Sequence, residues 1–414
     1  MDVLGRAPPG AAPRRPRTFR HGEESLVTAT ALSPAKKLLS VLDDRKAADL
    51  CRDALARAGI TVGGDAPWDM KVHDERLWTR VLREGSLGLG DAYVEGWWDT
   101  PALDQFFDRV LRARLDREVT SNWVFVAHIV RARLFNVQAL RPFEIAEKHY
   151  DIGNDLYEAM LDRSMAYTCG YWRDNADLDT AQEAKLELVC KKLGLRQGMR
   201  VLELGCGWGS FAFHAAKKHG VSVVAYNVSK EQVAWMKARK GTLPIEVHLD
   251  DYRTARGTFD AVVSIGLMEH VGPKNYRAYM ELVDRCLSPE GAAVVHTIGS
   301  NRSRDRIDPW FDRHIFPNAA FPSLGRLTDA MEEILVPEDV HNLGEHYDPT
   351  LMAWWHRFDA AWPKLRPRYG DRFYRMWKFY LLVSAATFRS RFMQLYQIVF
   401  TRQGAPQPRG CRAV

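Results

Sequence analysis

The sequence predicts an α/β fold in which a mostly parallel sheet carries helices on both faces and is preceded by a smaller helical domain. Strand-like apolar runs and helical patterns alternate from about residue 200 to residue 300, and such alternation is typical of parallel sheets. The run Val201–Leu204 is followed at once by Gly205, Gly207 and Gly209, and then by a helical pattern. A strand, a glycine turn and a helix in this order open a nucleotide-binding unit.

The composition is that of an ordinary globular protein. The 414 residues are enough for two domains, and the formal net charge of +6 suits an anionic partner such as phospholipid headgroups or nucleic acid. Six cysteines are scattered without C-x-x-C spacing, which favours free thiols in a reducing compartment over a disulfide framework. No apolar run approaches the length that a transmembrane helix needs.

The amino-terminal part divides into a tail and a helical domain. Residues 1–40 are rich in proline, alanine and arginine, which predicts a disordered basic tail that either touches an anionic membrane or is merely solvated. Residues 41–140 are predicted to be helical, with helices near 74–84, 102–114 and 122–136. The last of these has an apolar face edged by arginines, which fits a membrane-surface helix or a core or subunit contact.

Residues 141–404 are assigned to the catalytic domain, and residues 405–414 to a short tail. Residues 144–173 are dense in aromatic and polar side chains without clear periodicity, which predicts an irregular segment over a site. Thr180 and Glu183 have the spacing of a capping box and predict the start of the next helix.

Seven strands are expected in this domain. They are Val201–Leu204, Val221–Tyr226, Ile245–Leu249, Phe259–Ile265, Ala292–Thr297, Ile334–Val340 and Met393–Thr401. The last is expected to be antiparallel and to close the sheet edge. Helices are expected between them, and two more at 350–365 and 372–388. Since ligands gather at the carboxyl ends of parallel strands, the residues that follow each strand are the candidate site.

The glycine turn has an acid just before it, Glu203, in the form E-x-G-x-G-x-G. This form resembles the first motif of S-adenosylmethionine (SAM) methyltransferases, although that motif often has aspartate there. The resemblance implies a Rossmann-like class I SAM-dependent methyltransferase sheet, with a structural glycine turn as the alternative. The SAM-binding residues that it implies are Tyr167, Thr168, Glu203, Gly205, Cys206, Gly207, Asn227, Ser229, Gln232, Asp251 and Tyr252. Asp251 is alternatively an ordinary helix N-cap.

Further stretches make a resemblance more specific. They are residues 80–90, 95–98, 144–155, 167–172, 269–276, 296–300, 308–310 and 347–354. Together they resemble the cyclopropane-fatty-acyl-phospholipid synthase family, over roughly residues 45–402. The match in the amino-terminal domain favours the bacterial phospholipid enzymes over the shorter mycolic-acid relatives, which lack that domain.

The resemblance implies that a methylene group passes from SAM to the cis double bond of an unsaturated phospholipid acyl chain. It also implies a bound bicarbonate as the base, held by the side chains of Cys169, Glu269, His296 and Tyr347 and by the backbone of Ile298. Each residue has an ordinary alternative: a lone cysteine is usually a small buried hydrophobe, and a histidine after a strand is often only a hydrogen-bonding partner. Their joint occurrence at strand ends favours the catalytic interpretation, and no metal is expected.

SAM and bicarbonate are therefore the expected cofactors. The expected partners are an anionic phospholipid bilayer, approached peripherally from the cytoplasmic side, and a second copy of the chain, with no nucleic acid. Three alternatives remain: SAM-dependent C-methylation of fatty acyl chains without ring closure, SAM-dependent transfer to a soluble small molecule, and non-catalytic SAM or lipid binding. An NAD-dependent dehydrogenase is disfavoured because the third glycine is misplaced for a dinucleotide fingerprint.

Overall fold

The structure is a computed structural model, and it describes residues 44–115, 153–173 and 177–412. The predicted basic tail and the predicted helix at 122–136 lie outside the described residues. The domain boundaries stay predictions.

Residues 44–115, the described part of the amino-terminal region, contain four helices and a small sheet. In chain order these are α1 (Asp44–Arg57), β1 (Lys71–Val72), α2 (Arg76–Glu84), α3 (Ser86–Val94), β2 (Trp98–Asp99) and α4 (Leu103–Arg112). The prediction of an entirely helical segment missed β1 and β2, which pair antiparallel with Val72 opposite Trp98. Strands of two residues are too short for a period-two pattern to show in the sequence.

The remaining elements form the larger α/β part. They are α5 (Asn154–Met160), α6 (Leu178–Lys192), β3 (Arg200–Leu204), α7 (Ser210–His219), β4 (Ser222–Asn227), α8 (Lys230–Arg239), β5 (Ile245–Leu249), β6 (Phe259–Ile265), α9 (Met268–Val271), α10 (Tyr276–Cys286), β7 (Leu287–Ser300), α11 (Pro309–His314), α12 (Leu324–Met331), β8 (Leu335–Asn342), α13 (Tyr347–Arg389) and β9 (Met393–Arg402).

Strands β3 to β9 form one seven-stranded sheet in the order β5-β4-β3-β6-β7-β9-β8. The pairings among β3 to β7 are parallel, whereas β9 is antiparallel to both of its neighbours. The prediction that β9 closes the edge was wrong, because β8 occupies the edge. The order reverses between β3 and its neighbours β4 and β6, which opens a crevice at their carboxyl ends.

Two predictions about helices need correction. The segment 144–173, expected to be irregular, contains helix α5 in its described part. The N-cap of α6 is Asp177, whose carboxylate accepts from the backbone N–H of Thr180, so Thr180 lies inside the helix. The two helices expected at 350–365 and 372–388 are confirmed: both lie in α13, which is broken between them at Gly370, where φ is 75°. Only this glycine has non-helical dihedral angles inside α13, and positive φ suits glycine because it has no Cβ.

Helix α13 joins the two parts of the molecule. It packs against α3, α4 and α5, and its buried side chains form one continuous apolar cluster with those of residues 44–115. Within the described ranges, every helix is too short or too polar to cross a lipid bilayer.

Candidate active site

A cavity of about 200 Å³ lies at the carboxyl ends of β3, β4, β5, β6 and β7. We call it the polar cavity, because buried carboxyl, amide and imidazole groups lie in its wall. All of the sequence-predicted site residues except Cys169 and Ser229 line it. The parallel strands bring these residues together because their carboxyl ends meet at one edge of the sheet.

The glycine turn after β3 forms one wall of this polar cavity. The N–H groups of Gly205 and Cys206 donate to the carbonyl of Tyr226 at 3.0 and 3.1 Å, which ties the turn to β4. Gly207 has φ of 53°, and a Cβ added there would meet no protein atom within 4 Å. A Cβ on Gly209, in contrast, would lie 2.5 Å from Met236. Gly207 therefore leaves free space beside the polar cavity for a ligand, whereas Gly209 is needed for packing.

The end of β4 holds the turn in place. The Asn227 side-chain amide donates to the carbonyl of Gly207 at 3.0 Å and to Gln232 Oε1 at 2.9 Å, and its oxygen accepts from the N–H of Ser229 at 3.0 Å. Ser229 caps α8 by accepting from the N–H of Gln232 at 3.3 Å. Ser229 thus acts behind the wall of the polar cavity, while Asn227 and Gln232 belong to the wall itself.

Glu203, on β3, is a buried carboxyl group whose Oε2 has no hydrogen-bond partner among the described residues. Burial raises its pKa to about 8, although the nearby ammonium of Lys185 opposes this shift. Lys185 is fully buried and donates to Thr168 Oγ1 at 2.8 Å, and burial lowers its pKa to about 8. An acceptor oxygen without a partner in the wall of the polar cavity suits a ligand hydroxyl.

The stretch after β5 contributes Asp251 and Tyr252. The Asp251 carboxylate caps a short 3₁₀ turn by accepting from the N–H of Arg253 at 2.9 Å, and it also binds the Arg253 guanidinium at 2.8 Å. The N-cap alternative is therefore observed for Asp251, which nevertheless lines the polar cavity. Burial raises the pKa of Tyr252 to about 12, so its hydroxyl keeps its proton and can donate.

Glu269, in α9, lies against the end of β7. Its Oε1 accepts from the backbone N–H of Ile298 at 2.6 Å, and its buried Oε2 has no partner among the described residues. Burial raises the pKa of Glu269 to about 7, which the hydrogen bond from Ile298 opposes. The resemblance assigns the backbone of Ile298 to bicarbonate, and in this structure the N–H of that backbone is donated to Glu269.

His296, on β7, is fully buried, and burial holds its pKa well below the usual value, so the ring is neutral. Gln397 Nε2 lies 3.1 Å from His296 Nδ1. Because an amide nitrogen only donates, Nδ1 is the acceptor and Nε2 carries the proton. That Nε2–H has no acceptor among the described residues. Together with Glu269 Oε2, it leaves a donor and a carboxyl oxygen unsatisfied on the wall of the polar cavity.

Cys169 lies behind the polar cavity rather than on its wall. Its thiol donates to the carbonyl of Gly170 at 3.1 Å and lies 3.9 Å from Thr350 Oγ1. Burial raises the pKa of the thiol far above its usual range, so the group is neutral. Thr350 also accepts from the N–H of Gly170 and from Trp172 Nε1. These contacts describe a packed hydrogen-bond cluster around Thr350, as in the ordinary alternative for a lone cysteine.

A second, apolar cavity of about 840 Å³ lies between the amino-terminal helices and α13. Its walls include Leu55, Trp78, Phe106, Val110 and Val383. It meets the polar cavity at five residues that line both, which we call the shared wall: Ile298, Phe316, Phe321, Tyr347 and Tyr380. The polar cavity and the apolar cavity are thus neighbours that share part of their walls.

Sequence reasoning missed Lys185, Gln397 and Tyr380. Lys185 occupies the buried stripe of α6, three residues before Leu188, where a charged residue is itself a signal. Gln397 is the polar residue in the middle of β9, which is buried along almost its whole length. Tyr380 gave no signal, because its hydroxyl reaches Tyr167 at 2.8 Å only after α13 has folded back over the sheet.

The strand order, the glycine turn and the buried acid at the end of β3 define a class I SAM-dependent methyltransferase. Structural comparison agrees with this. The chain superposes on the cyclopropane synthase MmaA2 from Mycobacterium tuberculosis with a TM-score of 0.59 at 26% identity. It also superposes on mycolic acid cyclopropane synthase CmaA1, solved with SAH and CTAB, with a TM-score of 0.59 at 28% identity. Both superpositions cover 63% of this chain and 98% of the solved one.

Sequence comparison identifies the family within this class of methyltransferases. The model of the mycolic acid cyclopropane synthetase family matches residues 138–398. The chain is also 46% identical, over 354 residues, to the cyclopropane-fatty-acyl-phospholipid synthase of Escherichia coli strain K12. That alignment covers 85% of this chain and 93% of the relative. The chain belongs to the mycolic acid cyclopropane synthetase family.

Proposed function

We propose that this protein transfers a methylene group from SAM to the cis double bond of unsaturated phospholipid acyl chains, with bound bicarbonate as the base. The observation that carries the proposal is that the apolar cavity lies directly beside the polar cavity, with the shared wall lining both. A small soluble substrate would not need about 840 Å³ of apolar space, whereas a long acyl chain fills such a cavity with a gain of hydrophobic free energy.

The residues of the polar cavity fit SAM. Gly207 leaves open space beside it where a Cβ would otherwise stand, so a ligand can approach the backbone closely. Glu203 Oε2 is an acceptor without a partner among the described residues, and ribose hydroxyls are suitable donors to it. Tyr252 and Asp251 also line the polar cavity, and they are the residues that would hold the adenine.

The residues at the end of β7 fit a small oxyanion such as bicarbonate. His296 presents an N–H that lacks an acceptor, and Glu269 presents a carboxyl oxygen that lacks a partner, both among the described residues. Because the pKa of Glu269 is raised to about 7, its protonated form donates to an anion instead of repelling it. When bound, bicarbonate supplies a base that accepts a proton.

The shared wall suits the cationic chemistry of the reaction. Attack of an alkene carbon on the sulfonium methyl forms a carbon–carbon bond, releases the thioether product and leaves a cation on the neighbouring carbon. The rings of Tyr347, Tyr380 and Phe316 offer faces that stabilise a cation and exclude water that would trap it. Loss of one proton from the new methyl group then closes the ring.

The access of the enzyme to lipid is part of the proposal. We propose that the protein binds the cytoplasmic surface of an anionic bilayer peripherally, since the apolar cavity must receive an acyl chain from a membrane. The proposed homodimer rests on the family resemblance, and light scattering of the purified chain tests it. Residues 41–140 are the proposed lipid-binding and dimerisation domain.

The test is turnover of purified protein on vesicles of cis-unsaturated phospholipid with SAM carrying a ¹³C-labelled methyl group. We expect the acyl chains to gain one CH₂ unit, and NMR to place the label in a cyclopropane ring. Vesicles with saturated chains are the matched control. Turnover should fall in buffer freed of carbon dioxide and return when bicarbonate is added.

Other results would contradict the proposal in distinct ways. A labelled methyl branch or exomethylene group without a ring would assign the chain to acyl C-methylation. No transfer by a folded protein that binds SAM would leave only lipid or SAM binding.

A further inference from the structure

The rim of the apolar cavity carries four arginines around the turn that joins α13 to β9. They are Arg112, Arg302, Arg304 and Arg391. The Arg112 guanidinium donates to the carbonyl of Arg389 at 2.9 Å. Asn301, the neighbour of Arg302, donates to the carbonyl of Arg391 at 3.0 Å. These contacts place residues from α4, from the end of β7 and from the α13–β9 turn at one site.

Three of these arginines have no salt-bridge partner among the described residues. No carboxylate in the described part of the chain forms a salt bridge with Arg302, Arg304 or Arg391, although Arg304 acts electrostatically on Asp308 at longer range. Arg112 is paired with Asp108 at 2.9 Å on its own helix.

Arg306, Glu84 and Asp308, which also line the apolar cavity, each have a partner within the fold. Arg306 binds Asp312 at 3.2 Å, and Glu84 binds Arg80 at 3.3 Å. Asp308 caps α11 by accepting from the N–H of Trp310. The rim is therefore the strongly positive end of a cavity that is otherwise apolar.

Such a combination matches an amphiphile with an anionic head. Guanidinium groups bind phosphate oxygens in pairs of parallel hydrogen bonds, which an ammonium or an amide cannot reproduce. Aliphatic parts of the same molecule gain free energy inside the apolar cavity. We propose that Arg302, Arg304 and Arg391, supported by Arg112, bind the phosphate of the phospholipid substrate. This inference rests on the proposed function.

The distance between the rim and the shared wall allows one lipid molecule to contact both. Ile298 of the shared wall and Arg302 of the rim are four residues apart along the chain, which corresponds to at most roughly 13 Å. One leaflet of a bilayer has about 15 Å of hydrocarbon. A phosphate at the rim therefore leaves the middle of the same acyl chain within reach of the shared wall.

The test is the Arg302→Gln/Arg391→Gln double variant, which removes two positive charges that lack acidic partners in the described structure. Its matched control is Arg196→Gln/Arg285→Gln, which removes two charges from exposed sites that line neither of the two cavities described here. Turnover is measured in neutral detergent micelles on two substrates with the same cis-unsaturated chains, phosphatidylcholine and diacylglycerol.

For the rim variant we expect KM for phosphatidylcholine to rise about tenfold, with kcat and SAM affinity unchanged, because two charged hydrogen-bond donors are lost at a partly exposed site. Turnover of diacylglycerol, which has no phosphate, should stay at the level of the unchanged protein. The control variant should keep both KM values.

Three results would overturn the inference. The first is an equal rise of KM in the control variant, which would indicate general charge attraction. The second is an equal loss on diacylglycerol, which would indicate altered packing. The third is no change of either KM while an acidic carrier protein bearing the acyl chain loses affinity, which would make the rim a protein-docking surface. If the unchanged protein modifies neither lipid, the proposed function itself fails, and this outcome is separate from the other three.

Discussion

The polar cavity and the apolar cavity meet at the shared wall but are built in opposite ways. The polar cavity, about 200 Å³, is formed mainly by residues that directly follow strands of one sheet. The apolar cavity, about 840 Å³, is formed by helices from residues 44–115 and 347–389 and by the long connection after β7. The first is a local consequence of sheet topology, whereas the second requires segments that are distant in sequence to pack together.

The two cavities also differ in the position and burial of their titratable and charged side chains. In the polar cavity, burial raises the pKa of Glu203 and Glu269 and lowers that of His296, so the neutral forms are favoured at all three. These desolvated groups gain free energy when a polar ligand arrives. The apolar cavity, in contrast, has arginines at its rim that form no salt bridge with the described residues. A change in the polar cavity should therefore alter chemistry and SAM binding, and a change in the apolar cavity should alter lipid selectivity.

The largest expected effect is that of Gly207→Val. Its side chain would occupy the open space beside the polar cavity, so SAM affinity measured by calorimetry should fall about 100-fold or more. Gly241→Val is the matched control, since Gly241 has the same φ of 53° and also has no neighbour within 4 Å of a Cβ. The two variants should share the backbone strain of about 1–3 kcal/mol. Equal SAM affinity in both would contradict the assignment of the glycine turn.

Glu269→Gln should lower kcat about 100-fold while SAM affinity stays unchanged, because the amide keeps the acceptor for Ile298 but loses the acidic proton. Glu290→Gln, on the exposed start of β7, is the control and should be fully active. Full activity of Glu269→Gln would show that this carboxyl group does not take part in the chemistry.

The stability of the same Glu269→Gln variant should depend on pH differently from the stability of the unchanged protein. Folding raises the pKa of Glu269 from 4.5 to about 7, so the native state binds more protons and loses stability as pH rises through this window. The amide in the variant does not titrate, so the variant does not lose stability in this way. Near pH 4.5 or below, this linkage contributes no difference in the free energy of unfolding between the variant and the unchanged protein. At about pH 8.5 the ligand-free variant should be more stable, by on the order of 3 kcal/mol. Urea unfolding at both pH values measures this, and a pH-independent difference would contradict it.

Gln397→Met should have a smaller effect, about a tenfold fall in kcat, because it removes the donor that fixes the proton of His296 on Nε2. The ¹⁵N shifts of the His296 ring report the tautomer directly, and they should show a mixture in the variant. Gln197→Met, at an exposed site, should change neither measurement. An unchanged tautomer with lowered kcat would mean that Gln397 acts through packing alone.

The smallest expected effect is that of Val383→Phe, in the wall of the apolar cavity. The larger ring shortens the space for a chain, so the kcat/KM for long acyl chains should fall about threefold to tenfold relative to short ones. SAM affinity should not change. Val336→Phe, on exposed β8, is the control. A loss of SAM affinity with Val383→Phe would show that the two cavities do not respond independently.

Much of the polar cavity could be predicted because its residues follow recognisable strands. Glu203, Gly205 and Gly207 were found from the strand–turn–helix pattern, and Glu269 and His296 from their positions after the next strands. The prediction extended to Cys169, but no sequence pattern showed that Thr350, 181 residues away, would lie beside its thiol. The edge position of β8 was also missed, since pairing between strands of opposite direction depends on packing across the sheet.

The sequence by itself determined the order of strands and helices, the glycine turn and the acid that precedes it, because these depend on local periodicity and backbone freedom. Only the tertiary structure decided that β9 lies inside the sheet, that Gln397 sets the proton of His296, and that Tyr380 lines both cavities. It also decided that arginines from three distant segments, among them Arg112 and Arg391, meet at one rim. The reason is that burial, cavity walls and clusters of like charge arise from contacts between distant segments, and local sequence patterns do not encode which segments will meet.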